Sequence, residues 1–379
     1  MVEAKFDDLQ LNDKLLRGIY SYGFEEPSKI QTLSIPIINE MNDLISQAQS
    51  GTGKTGAFTI GTLNNINVDE KNTQLMVILP TRELVMQVYD VFSNLSKYMD
   101  VTISKVVGGT NVNECKNELR KNPQIIIGTP GRILDMLNQK YIYTDKVRMV
   151  VLDEADEILS YGFTECLYNI IRYFSKETNI FLFSATMPDD ILKLSDNILN
   201  NPKKILVNRE ELTLEGIKQF YVNVKNREWK LDVIKDLYDT INISQCIIYF
   251  NSKNKLIDIY KNLINENYPI SCIHGDLLTA DRNKVMDDFK NGKSRILLST
   301  DLLSRGIDIQ QLSLVINFDL PMSKETYIHR IGRSGRYGRK GVSINLITDY
   351  DIEYLDEISK HYDTKVEEMP NNFSEFLGI

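Results

Sequence analysis

The stretch Ala48-Gln49-Ser50-Gly51-Thr52-Gly53-Lys54-Thr55 has the residue types that hold a phosphate chain. Glycines let backbone N–H groups curl around phosphate oxygens, Lys54 reaches the β and γ phosphates, and the Thr55 hydroxyl is placed to ligate Mg²⁺. The pattern departs from the generic loop in having Ala48 where the first glycine usually stands. A Gly-rich turn that merely contains Gly-Lys-Thr is the plain alternative. The short apolar run before it and the helix-like Gly56-Ala57-Phe58-Thr59-Ile60 after it weigh against that.

A second cluster follows Met149-Val150-Val151-Leu152, an apolar run that ends in Asp153-Glu154-Ala155-Asp156. Three carboxylates at a strand end repel one another unless a cation is present, and a nucleotide-bound Mg²⁺ supplies one. Asp153 is then the Mg²⁺ partner, through water, and Glu154 the group that orients and deprotonates the attacking water. Alone, such a cluster is as readily solvated surface; paired with a phosphate loop it reads as catalytic.

A third lies at His329-Arg330-Ile331-Gly332-Arg333-Ser334-Gly335-Arg336-Tyr337-Gly338-Arg339. Arg333 and Arg336 are three apart, so on a helical turn they face the same way and could neutralise charge developing on a γ phosphate. An isolated basic stretch is more commonly a solvated turn. Here the first half supplies a nucleotide site with no arginine finger of its own, and a site completed from two domains accounts for both facts.

The elements that must position these groups alternate, short Val/Ile/Leu runs with longer helix-like stretches, as in β-α units of a mainly parallel sheet. In the first half the expected strands are Asp43 to Ser46, Leu75 to Leu79, Val101 to Val107, Gln124 to Ile127, Met149 to Leu152 and Asn179 to Phe183. Each runs into a polar, Gly-rich or charged cluster, and open α/β sheets bind ligands at those carboxyl ends. The pattern restarts after Asn201-Pro202, with strands at Cys246 to Phe250, Ile270 to Ile273, Arg295 to Leu298, Leu314 to Phe318 and Val342 to Ile347. Between the halves, residues 208–216 are polar with little apolar periodicity, which suits an exposed linker.

At ~150 residues per domain, 379 residues make two to three domains and exclude a small stapled scaffold. Hydrophobic residues at 42% and charged residues at 25% are those of a globular chain, not a disordered or fibrous one. The net charge of −8 argues against indiscriminate coating of nucleic acid, so any such contact is local. Cys115, Cys166, Cys246 and Cys272 stand far apart, without metal-ligand spacing, and are expected as reduced thiols. The charged start Met1-Val2-Glu3-Ala4-Lys5 lacks a signal-peptide core, and no apolar run approaches the ~20 residues of a membrane span, so a soluble, cytoplasmic protein is expected.

Taken together these segments resemble the DEAD-box ATP-dependent RNA helicases, a family named for the tetrad Asp153-Glu154-Ala155-Asp156. The resemblance spans residues 5–379 and is closest to the subgroup of eukaryotic translation initiation factor four-A. That flavour shows in Arg227-Glu228-Trp229-Lys230, in the run from Glu211 to Phe220 and in Glu367-Glu368-Met369-Pro370-Asn371. It implies an α/β fold of two tandem RecA-like domains, each a mainly parallel sheet flanked by helices. Residues 1–207 would form the ATP-binding domain, 208–216 the linker and 217–379 the second domain.

The resemblance also implies roles. Within Gly23-Phe24-Glu25-Glu26-Pro27-Ser28-Lys29-Ile30-Gln31, Gln31 would read the adenine edge, with Phe24, Glu26 and the upstream aromatic Phe6 around the nucleotide. Ser50, Gly51, Thr52, Gly53, Lys54 and Thr55 would hold the phosphates, Asp308 the ribose, and Tyr337 would lie against the adenine. His329 would join Lys54, Asp153, Glu154, Arg333 and Arg336 near the γ phosphate. Ser184, Ala185 and Thr186 would couple the ATP state to the RNA state through Asp156.

RNA contacts would fall to Pro80, Thr81, Arg82, Gly108, Gly109, Thr129, Pro130, Gly131 and Arg132 in the first half. In the second they would fall to Asn251, Gly275, Arg282, Thr300 and Asp301. Glycine amides, hydroxyls and a few arginines suit phosphates and 2′-hydroxyls and read base edges poorly, so binding without sequence preference is expected. Thr279 stands where relatives often carry Gln, and Val85 where Ala is usual. The implied partners are ATP with Mg²⁺, single-stranded or short duplex RNA and a scaffold protein of the translation initiation machinery, with the chain itself a monomer. The implied activity is ATP-driven local unwinding of short RNA duplexes; the alternative is an ATP-locked RNA clamp that scaffolds an RNA–protein complex.

Overall fold

The structure, a computed structural model, describes residues 5–48, 51–109, 111–160, 162–206, 217–240, 245–301, 312–334 and 341–370. Among the residues singled out above, Ser50, Asp308, Arg336 and Tyr337 lie outside them, as do the linker 208–216 and the side chain of Thr279. The chain divides into two compact units, Met1–Val207 and Asn208–Ile379.

The first unit is built on strands β1 (Leu44–Gln47), β2 (Leu75–Ile78), β3 (Ile103–Val106), β4 (Ile125–Gly128), β5 (Met149–Leu152), β6 (Asn179–Ser184) and β7 (Lys203–Ile205). They form one parallel sheet in the order β3-β4-β2-β5-β6-β1-β7. Side chains alternate across it as a period of two demands. Leu75, Val77, Ile125, Ile127, Met149, Val151, Phe181 and Phe183 pack into the core on one face. Met76, Ile78, Ile126, Val150, Leu152, Ile180 and Leu182 pack on the other. Burial on both faces explains why these strands read as unbroken apolar runs.

The second unit repeats the wiring. Its strands β8 (Ile217–Asn223), β9 (Cys246–Phe250), β10 (Ile270–Ile273), β11 (Ile296–Thr300), β12 (Leu314–Asn317), β13 (Gly341–Ile347) and β14 (Val366–Glu368) are ordered β10-β11-β9-β12-β13-β8-β14, again parallel. Position for position this is the first sheet's order, with β9 in the place of β2 and β12 in the place of β5. The two units are both RecA-like sheets flanked by helices.

Eleven expected strands are present, with ends shifted by a residue or two. Asp43, expected to open β1, instead caps its neighbours: its carboxylate accepts from the N–H groups of Ile180 (3.0 Å) and Asn200 (2.7 Å). β7, β8 and β14 were not expected. β7 and β14 are three-residue edge strands carrying exposed Lys203, Lys204, Glu367 and Glu368, and charged, short edges resist unwanted pairing while erasing the apolar signal. The four cysteines are free thiols. Among the described residues no helix is long and apolar enough to cross a membrane.

Candidate functional site

The loop after β1 turns tightly because Gly51 (φ 86°) and Gly53 (φ 101°) adopt left-handed backbone that glycine tolerates without strain. Gly53 caps the helix Lys54–Asn64 without a side-chain cap bond, so the positive helix end opens at this loop, as an anion site requires. Lys54 opens that helix, and its buried ammonium lies 3.5 Å from Glu154 Oε1, an ion pair that leaves it without a hydrogen bond in the described structure. Burial pulls the Lys54 ammonium down, but Glu154, Asp153 and Asp156 together pull harder and its pKa ends above the usual lysine value.

The acidic tetrad sits at the end of β5. Asp153 receives the Glu154 backbone N–H on Oδ1 (2.9 Å), and its own N–H donates to Ile78 at the end of β2 (3.2 Å). Burial raises the Asp153 carboxyl to about 7; Glu154 and Asp156 add to the rise while Lys54 opposes it. Glu154 has φ 50°, a left-handed conformation that costs a non-glycine residue about 1 kcal/mol or more. Such strain is retained where the surrounding structure requires it, and here it fixes where the Glu154 carboxylate stands.

The segment that couples to this cluster lies after β6. Thr186 donates its hydroxyl to Asp156 Oδ2 (2.6 Å), and the Asp156 N–H donates to Ser184 Oγ (3.3 Å). Ala185 offers its carbonyl to Gln47 Nε2 at the end of β1 (3.4 Å), so the base of the phosphate loop and this segment share a tie.

Gln31 joins the segment Gly23 to Gln31 to the phosphate loop. Its Oε1 accepts the Ser28 N–H (2.9 Å), closing a capping box on the helix Lys29–Asn39, and its Nε2 donates to the Gly53 carbonyl (3.2 Å). One Nε2 hydrogen and one Oε1 lone pair remain, the donor and acceptor that an adenine edge requires. Phe6 is fully buried and stacks on Phe24 with ring centroids 6.2 Å apart, while Glu26 stands in the turn before that helix. A Cβ on Gly56 would come within 2.5 Å of Gln31 Nε2 and 3.2 Å of Phe24, so glycine there lets the segment close onto the loop.

The sheet order sorts the remaining residues. Pro80, Thr81 and Arg82 follow β2, Gly108 and Gly109 follow β3, and Thr129, Pro130, Gly131 and Arg132 follow β4, three adjacent strands at one side of the sheet. Thr129 accepts the Gly108 N–H (3.3 Å), Thr81 caps the helix Arg82–Leu95, and Pro130 opens the helix Pro130–Asn138. In the second unit, Asn251 follows β9, Gly275 follows β10, and Thr300 and Asp301 close β11, which are the matching three strands. Arg282 lies on the helix Thr279–Lys290 and donates to the carbonyls of Leu277 and Gly275, both at 3.0 Å. His329 is on the helix Lys324–Ile331 between β12 and β13, and Arg333, just past it, donates Nε to the His329 carbonyl (3.1 Å).

Arg330 has no role implied by its sequence context. It is fully buried, pairs with Asp301 and also bonds Asn251, so two residues expected to face RNA are held from behind. A charged residue between Ile328 and Ile331, two apolar residues of the same short helix, was the available signal.

Two RecA-like sheets of one topology, a phosphate loop with Lys54 and an acidic strand end define a nucleotide-driven helicase-type ATPase. A family model described as DEAD/DEAH box helicase matches residues 28–194, and one described as Helicase conserved C-terminal domain matches residues 229–338. The chain is 51% identical to a Debaryomyces hansenii protein described as ATP-dependent RNA helicase eIF4A over 365 residues, covering 96% of this chain and 92% of that one. It is 51% identical to the Candida albicans protein of the same description, covering 97% and 93%. Among solved structures, S. cerevisiae Dbp5 bound to RNA and ADP BeF3 is similar with a TM-score of 0.92 at 35% identity, covering 99% of this chain and 98% of that chain. The chain belongs to the DEAD-box helicase family, in its eIF4A-like branch.

Proposed function

We propose that this chain is an RNA-dependent ATPase that separates short RNA duplexes without reading their sequence, and that it serves translation initiation. One observation carries the reading: Lys54, Asp153 and Glu154 converge from the ends of β1 and β5, beside three adjacent strand ends rich in amide and hydroxyl groups. Gln31 holds the adenine edge, Gly51 to Lys54 hold the phosphates, and Glu154 takes the proton of the attacking water. Arg333 and Arg336 are the residues that would offset the charge developing on the γ phosphate.

Thr55 and Asp153 are the residues that would hold Mg²⁺. They fit a divalent cation, because Asp153 is buried beside two further carboxylates that raise its pKa, a strain a cation relieves. Bound there, Mg²⁺ would supply positive charge that offsets the charge developing on the phosphates. Thr186 passes the state of the acidic cluster toward the RNA-facing loops through its bond to Asp156.

The chain works as a monomer in the cytoplasm and takes its direction from a scaffold protein. The test is ATP-dependent strand separation on a short RNA duplex, compared with a DNA duplex of the same sequence. Separation of RNA alone supports the reading. Nucleotide-dependent RNA retention with neither turnover nor separation would replace it with the ATP-locked clamp.

A further inference from the structure

Two lysines from different helices converge on the turn that follows β12. Lys230 opens the helix Lys230–Thr240 and is buried; its ammonium donates to the Phe318 carbonyl (2.7 Å) and lies 4.0 Å from Asp319 Oδ1. Lys255, on the helix Lys253–Asn265, donates to the same Oδ1 (2.8 Å). Both ammonium groups stand over the Phe318 ring, 5.6 and 4.6 Å from its centroid, and that ring stacks on Phe250 of β9 at 4.6 Å.

Asn251, the first residue after β9, rests on this turn. Its N–H donates to Asp319 Oδ2 (3.3 Å) and its Nδ2 to the Leu320 carbonyl (2.7 Å). Lys230 therefore bears on Asn251 at one remove, through a carbonyl and a carboxylate of the turn. Its own place is a poor one for a cation. It lies at the positive end of its helix with 3% of its surface exposed. Burial pulls its pKa down to about 8; Lys255 and Arg227 add to the fall, while Asp319 and Asp351 oppose it. An apolar side chain would fill this space without that cost, so what the ammonium adds is a directed hold on the turn.

We propose that Lys230 is a positioning residue for RNA: its ammonium fixes the turn Phe318 to Leu320 and, through it, holds Asn251 in the arrangement that single-stranded RNA requires. The inference rests on the RNA reading of Asn251 given above. The hold is tied to the proton. A neutral amine keeps at best the bond to the Phe318 carbonyl and loses its attraction to Asp319, which is left to Lys255. The charged groups that face Lys230 are Asp319 after β12, Lys255 on the helix Lys253–Asn265, and Arg227 and Asp351 on two short helical turns.

The test measures the affinity of the full chain for an oligoadenylate, with Mg²⁺ and a non-hydrolysable ATP analogue, between about pH 7 and about pH 9. Adenine bases and phosphodiesters keep their charge across that range, so the RNA adds no step of its own. Wild type, Lys230→Met and Lys255→Met are compared, each checked for folding by circular dichroism. Wild type should lose about fivefold in RNA affinity as pH rises, with a midpoint near the Lys230 value of about 8. Lys230→Met should bind RNA about fivefold more weakly at pH 7 and show no step, with its affinity for the ATP analogue within about twofold of wild type. Lys255→Met removes a like charge that disfavours the Lys230 proton, so it should move the midpoint to higher pH. If Lys230→Met does not fold, Lys255→Met decides alone. A step that survives in Lys230→Met, an unchanged RNA affinity in that variant, or a midpoint that Lys255→Met leaves in place would overturn the proposal. Wild-type RNA binding without a step would overturn this inference alone, whereas a wild type that binds no RNA at any pH would remove the RNA reading and this inference with it.

Discussion

The hydroxyl of Thr186 donates to the carboxylate of Asp156 at 2.6 Å, and both groups are buried at the ends of adjacent strands. Asp156 belongs to the acidic cluster and Thr186 to the segment after β6, so this bond joins the two. Thr186→Val keeps the shape and removes the donor. A buried carboxylate that loses a partner costs about 1–3 kcal/mol, so the first unit should melt lower. Strand separation should fall by at least about tenfold while RNA-stimulated ATP turnover falls less; parallel unwinding and ATPase assays check this.

Gly56→Ala probes the contact between the adenine-reading segment and the phosphate loop. The added Cβ would crowd Gln31 Nε2 at 2.5 Å and Phe24 at 3.2 Å, forcing the Gln31 amide off the Gly53 carbonyl. A loss of one well-made hydrogen bond plus misplacement is worth about 1.4 kcal/mol, or tenfold in the KM for ATP. The preference for ATP over GTP should shrink with it. Competition of GTP against ATP turnover reads both effects.

The Asp153 carboxyl, raised by burial to about 7, makes stability depend on pH. A group whose folded pKa is raised stabilises the fold fully below its unfolded value near 3.8 and loses that contribution as pH rises through about 7. Asp153→Asn has no such loss and keeps an Oδ1 for the Glu154 N–H. Without nucleotide, the variant should therefore melt above wild type at pH 8, by a few degrees, with the gap narrowing toward pH 5. Mg²⁺ with ATP should reverse the order at pH 8. Melting curves across that range decide, and a gap independent of pH would contradict the account of Asp153.

Much of this was legible in the sequence where one physical cause acts alone. Strands buried on both faces wrote themselves as apolar runs, and β5 and β9 have the limits their composition suggests. The phosphate loop and the tetrad are local, so spacing alone places them. β8, β7 and β14 were missed because their residues answer to an edge or a half-exposed face and alternate with lysine, glutamine or glutamate. Arg330 was missed for another reason. It lies three residues before Arg333, and sequence spacing puts both on one helical face, yet Arg330 turns into the sheet and meets acceptors 29 and 79 residues away in the chain. The double use of the Gln31 amide, within its own helix cap and across to Gly53, is likewise a relation between segments that no single segment displays.

The most direct test of the central claim is steady-state ATP hydrolysis with and without single-stranded RNA, for wild type and for Glu154→Gln. The substitution keeps size and backbone and removes the carboxylate that faces Lys54 across 3.5 Å. The expected result is turnover that RNA raises strongly in wild type, and a loss of about 100-fold or more in Glu154→Gln with RNA binding retained in the presence of ATP. Equal turnover with and without RNA in wild type, or RNA-stimulated hydrolysis that survives in Glu154→Gln, would contradict it.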